Sequence, residues 1–160
     1  MRARRRGPEP IVAMTDQEIL QALQARARTL KFMEYLDGEV LSVSQELRQA
    51  IIQFHPKADL CQSAGVIQGG FVTAMLDVAM AQSVMVASKM ILGPPTLELK
   101  VSFFRAALPG PHKAIGHIVR MGKSIAFLEA ELFNGKDELV AKSSATCMLT
   151  PQLPNSALGA

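Results

Sequence analysis

The chain has 160 residues, 49% of them apolar, which is enough for one domain with a full core and too apolar for a disordered protein. The net charge of +3 belongs to the start: residues 1–13 hold four of the 17 Lys and Arg and one of the 14 Asp and Glu, leaving 13 of each sign. With aromatics at 5%, the chain offers neither a basic face nor a stacking platform for nucleic acid.

The first segment, MRARRRGPEPIVA (1–13), lacks the apolar run of a secretion signal and reads as a disordered basic leader. A single domain is expected over 14–150, and PQLPNSALGA (151–160) reads as a disordered tail. TDQEILQALQARARTL (15–30) reads as a helix. Thr15 and Glu18 have capping-box spacing, and Ile19, Leu20, Leu23, Ala27 and Leu30 form a helical stripe. Residues 31–38 follow no period. EVLSVS and QAIIQFH read as two strands, and 55–70 as a loop rich in turn residues.

A long apolar helix is expected from about 70 to 90, ended by Lys89 and the GPP of 93–95. TLELKVSFF then alternates, with Leu97, Leu99, Val101 and Phe103 on one face. KAIGHIVR, SIAFLEAELF and ELVAKSSATCML complete four sequential strands, with NGKD as a hairpin turn. An antiparallel meander must cover its apolar face, and the long helix is the only element apolar enough to do so. The expected fold class is α+β: a curved antiparallel sheet wrapped around one central helix, with an additional N-terminal helix.

The helix carries one anomaly. Asp77 is the only charged residue between Asp59 and Lys89. A carboxylate there is costly unless paired, solvated or used. Gly69 and Gly70 open the same helix, where free N–H groups attract negative charge and a missing Cβ admits a carbonyl. Asp77 follows Gly69 by a little over two turns, with Thr73 on its face. An N–H donor and a carboxylate along one helix suit acyl transfer. The bland alternatives are a structural buried acid, and a glycine pair that lets the helix pack closely on the sheet.

GVIQGGFVTAMLD resembles the G-x-x-H-G-G-x-x-x-x-x-x-D signature of hotdog-fold acyl-CoA thioesterases of the phenylacetate-degradation type, relatives of the 4-hydroxybenzoyl-CoA enzymes. TLELKVSFFRAALPG and MGKSIAFLEAELFNGKDELVAKSSATCML are similar to the family's later strands, so the resemblance covers roughly 38–149. It implies a hotdog fold and hydrolysis of a small, aryl or medium-chain acyl-CoA. Gly69 would donate the oxyanion N–H and Asp77 would be nucleophile or general base. Gln62 would hold substrate or water, and Thr96 would stand near the carboxylate after a one-residue shift in the preceding loop. The family's usual His before the glycine pair is Gln68 here, which can hydrogen-bond but carries no proton. The resemblance also implies a site shared across a homodimer or dimer of dimers, with Asp77 from one subunit and the glycine loop from the other.

No cofactor is expected, since coenzyme A is part of the substrate. Cys61 and Cys147 form no motif with His55, His112 and His117, so no metal is expected and a cytoplasmic location is the simplest fit. Asp77, Gln82 and Ser83 make 69–89 read as too polar for a membrane span. Arg105, Lys113, Arg120 and Lys123 could meet CoA phosphates, but read as solvated surface. A hydroxyacyl-thioester dehydratase and a non-catalytic acyl-CoA-binding module stand as alternatives.

Overall fold

The computed structural model describes residues 13–152. The leader (but for Ala13) and the tail from residue 153 lie outside them. α1 (Asp16–Ala27) begins at the expected capping box: the Thr15 hydroxyl accepts from Glu18 N–H, and the Thr15 N–H donates to the Glu18 carboxylate at 2.7 Å. That bond from the Thr15 backbone holds the Glu18 carboxyl below its ordinary pKa. Ile19, Leu23 and Ala27 are buried, while Leu20 is only half-buried. The stretch without a period holds a short helix, α2 (Lys31–Tyr35), which buries Met33.

β1 (Gly38–Ser44) and β2 (Gln49–Phe54) pair antiparallel, and α3 spans Gly69–Ala87. β3 (Leu92–Gly93), β4 (Thr96–Phe103), β5 (His112–Met121), β6 (Ile125–Asn134), β7 (Leu139–Met148) and β8 (Thr150–Pro151) follow. The main sheet has the order β1-β2-β5-β6-β7-β4, all antiparallel. Only three of the four sequential strands form the meander. β4 crosses to pair with β7 at the edge, so the sheet closes around α3 rather than beside it. The short β3–β8 pair was not legible: Pro151 pairs with Leu92, and Gln152 N–H donates to Ile91 O, so the first two residues assigned to the tail are held.

α3 is apolar enough by length and mean hydropathy, 1.5, to satisfy the composition of a membrane span, contrary to the sequence expectation. Val72, Met75, Leu76, Ala79 and Met80 are instead buried against the sheet. The closest approach is at Gly116 of β5, where a Cβ would collide with the Ala79 carbonyl and lie 2.6 Å from Met80 N. The glycine that lets helix meet sheet is therefore Gly116, not the Gly69–Gly70 pair.

β4 departs from simple alternation at its start. Thr96 stands opposite Cys147 and Glu98 opposite Thr146, so Leu97 is an extra residue, a β-bulge. Leu99 and Val101 pack against the core as expected, but Leu97 is 58% exposed. The bulge resets the alternation and aims the Thr96 side chain toward α3, where it remains exposed.

Candidate active site

The start of α3 can be accounted for donor by donor. A helix leaves its first N–H groups without intrahelical partners. Gln68 is the N-cap, and its side-chain Oε1 accepts from Gly70 N–H at 2.6 Å. Its carbonyl accepts from Phe71 N–H at 2.9 Å and Val72 N–H at 3.4 Å. Among the described residues, Gly69 N–H alone of the four has no acceptor. It points from the positive end of the helix. The Thr73 hydroxyl donates back to Gly69 O at 2.8 Å and ties down the first turn.

A loop holds this helix start in place. Gln62 N–H donates to Val66 O at 2.9 Å, Gly65 N–H to Gln62 O at 3.1 Å, and Gln68 N–H to Leu60 O at 3.0 Å. Gly65 has φ +72°, a conformation that favours glycine. Ile67 N–H donates to Ala107 O at 2.8 Å, joining the loop to the segment after β4. Between loop and segment lies a cleft of about 640 Å³, lined by Gln62, Val66, Gln68, Gly69, Phe103 and Arg105 among others. Three of the five residues singled out from sequence, Gln62, Gln68 and Gly69, thus share one cleft.

The other two meet elsewhere. The Thr96 hydroxyl donates to Asp77 Oδ1 at 2.9 Å. Asp77 is half-buried and neither residue lines the Gly69 cleft. Cys147, opposite Thr96, is buried; burial chiefly pushes its thiol pKa up, and the Asp77 carboxylate adds in the same direction. Asp77 lies eight residues beyond Gly69, about 12 Å along the helix axis. In one chain the cleft at the head of α3 and the Asp77–Thr96 pair two turns down are therefore separate.

The surroundings of the glycines separate them from a packing role. A Cβ on Gly69 would meet only the Phe103 ring, at 3.4 and 3.6 Å, which is ordinary contact. A Cβ on Gly70 would lie 2.7 Å from Gln68 Oε1. No sheet backbone presses on either.

Sequence reasoning does not find one cleft residue, Phe103, and names a second, Arg105, without placing it there. Phe103 was placed on an apolar face, not over Gly69. Arg105 is exposed, as its reading as solvated surface expects, and it is also the only charged residue among the described residues that lines the cleft. Its Nη1 donates to Leu139 O at 3.2 Å, and its Nε lies 3.9 Å from Glu138 Oε1. The signal was positional: β4 ends beside the head of α3, so the residues leaving it must border that cleft. None of the three histidines lines the cleft. Among the described residues, no cluster of His, Cys, Asp or Glu has the form of a metal site.

Residues 64–141 match the thioesterase superfamily model. A Thermoplasma volcanium protein named as a candidate esterase is 26% identical over 84% of this chain and 95% of its own length. The solved phenylacetic acid degradation-related protein of Ralstonia eutropha JMP134 is 27% identical, with a TM-score of 0.74 over 81% of this chain and 98% of that one. The PaaI protein of the E. coli phenylacetic acid degradation operon has a TM-score of 0.75 at 16% identity, over 84% and 95% of the two chains. The antiparallel sheet wrapped on α3 is the hotdog fold of these solved structures, and the span that matches the thioesterase superfamily model includes the glycine-headed helix.

Proposed function

We propose that the protein hydrolyses a small, aryl or medium-chain acyl-CoA to the free acid and coenzyme A, in a site completed by a second copy of the chain. The observation that carries this reading is the pair of half-sites on α3: a free Gly69 N–H in a cleft with two amide side chains, and Asp77 held by Thr96 about 12 Å away. Neither half performs the chemistry alone.

The free edge of β4 gives a route to joining them. β4 pairs only with β7, and Leu97, Phe103 and Phe104 along and just beyond it are more than half exposed. An unpaired apolar edge favours strand addition. In an antiparallel self-pairing, partner numbers sum to a constant. Full overlap of Thr96–Phe103 on itself sets each Thr96 across from the partner subunit's Phe103. That brings the carboxylate half of one chain to the donor half of the other, as the family resemblance implies.

In this arrangement the thioester carbonyl oxygen takes the Gly69 N–H, which is worth most where negative charge develops. Asp77 of the partner subunit either attacks the carbonyl carbon or takes a proton from the attacking water. In both cases water is consumed, the C–S bond breaks, and CoA leaves as a thiolate. A thiol's pKa near 8.5 makes that departure possible without a strong general acid. Gln62, at the mouth, is placed to hold the water or the substrate amide. Val72, Phe103 and Phe104 give the acyl group an apolar wall. Arg105 is placed for the phosphates of CoA. The dehydratase alternative lacks its histidine in this cleft.

The test is free-thiol release from short, medium, long and aryl acyl-CoAs by wild type and Asp77→Asn, with circular dichroism on both. Wild type is expected to turn over at least one substrate, and D77N to lose about 10²–10⁴-fold. Silence of wild type across the panel would overturn the reading.

A further inference from the structure

We infer that Gln68 is a second oxyanion donor and that Gly70 is the positioning residue that aims it; this rests on the thioesterase reading above. Gly70 N–H can be met only by an acceptor, so the bond at 2.6 Å fixes which end of the Gln68 carboxamide faces the helix. The oxygen is committed to the backbone. The –NH₂ group must then face away from it, and among the described residues it has no hydrogen-bond partner. Gln68 is exposed and lines the same cleft as Gly69, whose own N–H is also unpaired. Two unpaired donors thus belong to residues 68 and 69, at one helix head, in one cleft.

This arrangement needs a residue without Cβ at 70. A methyl there would lie 2.7 Å from Gln68 Oε1 and 3.6 Å from its Cδ, so the carboxamide would have to swing off the helix head. The crowding involves a flexible side chain and no backbone outside the helix, so Gly70→Ala does not disturb the fold. Alanine is the better helix former, which sets its effect on stability opposite to its effect on turnover. The second glycine of the pair is there for the side chain two residues before it, not for the substrate.

The donor also differs in kind from the family's histidine. A carboxamide donates at every pH at which the protein is folded. An imidazole at 68 would donate from both nitrogens only when protonated, below its pKa near 6.5.

Gly70→Ala, Gln68→Ala and the double variant would be assayed for kcat by thiol release, with Tm for each. Gln68→Ala is expected to lose about 10²-fold in kcat. Gly70→Ala is expected to lose at least about tenfold while its Tm is equal to or above wild type, and the double variant to be no slower than Gln68→Ala. Wild-type kcat in Gly70→Ala, or losses that multiply in the double variant, overturns the inference. A second arm does not depend on turnover. Titration with a ketone analogue of an acyl-CoA, followed by ¹⁵N NMR, is expected to shift the Gln68 side-chain NH₂ signals in wild type and not in Gly70→Ala. Unmoved Gln68 signals in wild type with the analogue bound would also overturn it. Wild type that binds the analogue but releases no thiol from any substrate overturns the hydrolase reading separately.

Discussion

Arg105 shows how one charge in an uncharged cleft can be given a job. Its guanidinium is exposed, donates to Leu139 O and borders the cleft, and a phosphate of the proposed substrate would be its natural partner. A phosphate contact far from the thioester contributes uniform binding, which changes KM and not kcat. Arg105→Gln should raise KM about tenfold for acyl-CoA substrates, roughly 1.4 kcal/mol, with kcat unchanged. Acyl-pantetheine thioesters, which lack the nucleotide phosphates, should show no difference between variant and wild type. Equal losses on both substrates would mean that Arg105 only braces the loop. His112 supports a prediction about stability. It is buried, and that burial lowers its pKa; the Gly110 carbonyl opposes the shift and the charge of His55 adds to it. Because the folded pKa lies below the unfolded value near 6.5, the unfolded chain takes up the proton first and stability falls as pH drops below about 6.5. Thermal melts from pH 7.5 to 5 should show this slope in wild type and a shallower one in His112→Gln.

At the scale of elements, the strands and helices with strong periods were legible, and those set by long-range contact were not. The capping box fixed the start of α1, and the apolar run fixed α3. β3 and β8 have two residues each and exist only because Leu92 and Pro151 meet across the fold. The bulge at Leu97 is invisible to any period, yet it aims the exposed Thr96 side chain at Asp77. The glycines divide in the same way. Sequence marks 69 and 70 as a pair, while the close approach at 116 is set by how β5 lies against α3. Gly116→Ala should force α3 off β5 and cost about 3 kcal/mol or more, since the obstacle is main chain and cannot rotate away. Chemical denaturation should show the loss as a lower midpoint. A stability like that of wild type would mean that the layer yields more readily than its spacing suggests.

At the scale of the molecule, the family resemblance implies that Gly69 and Asp77 act from different subunits, whereas helical spacing alone does not separate them. Spacing along a helix says that Gly69 and Asp77 share a side; it does not say that a wall of β4 and loop gives each its own surroundings. A split site makes a prediction that a single-chain site does not. Gly69→Pro removes the N–H at the first helical position, where proline is tolerated, and Gln68 already has the ψ of 137° that a residue before proline adopts. It should fold with kcat down about 10²–10³-fold. Asp77→Asn and Gly69→Pro, each nearly inactive, should recover roughly a quarter of wild-type activity when unfolded together and refolded, because half the dimers are mixed and each has one intact site. No recovery, with mixed dimers confirmed by mass spectrometry, would place both halves in one chain.

The exposed edge of β4 then reaches beyond geometry. If every reaction centre draws on two chains, the active species forms in proportion to the square of the concentration of single chains whenever these predominate. Halving the amount of protein would cut output about fourfold in that regime, and doubling it would raise output by the same factor. The gene's expression level would act as a threshold rather than a dial, and an assay on highly diluted protein would find a silent enzyme.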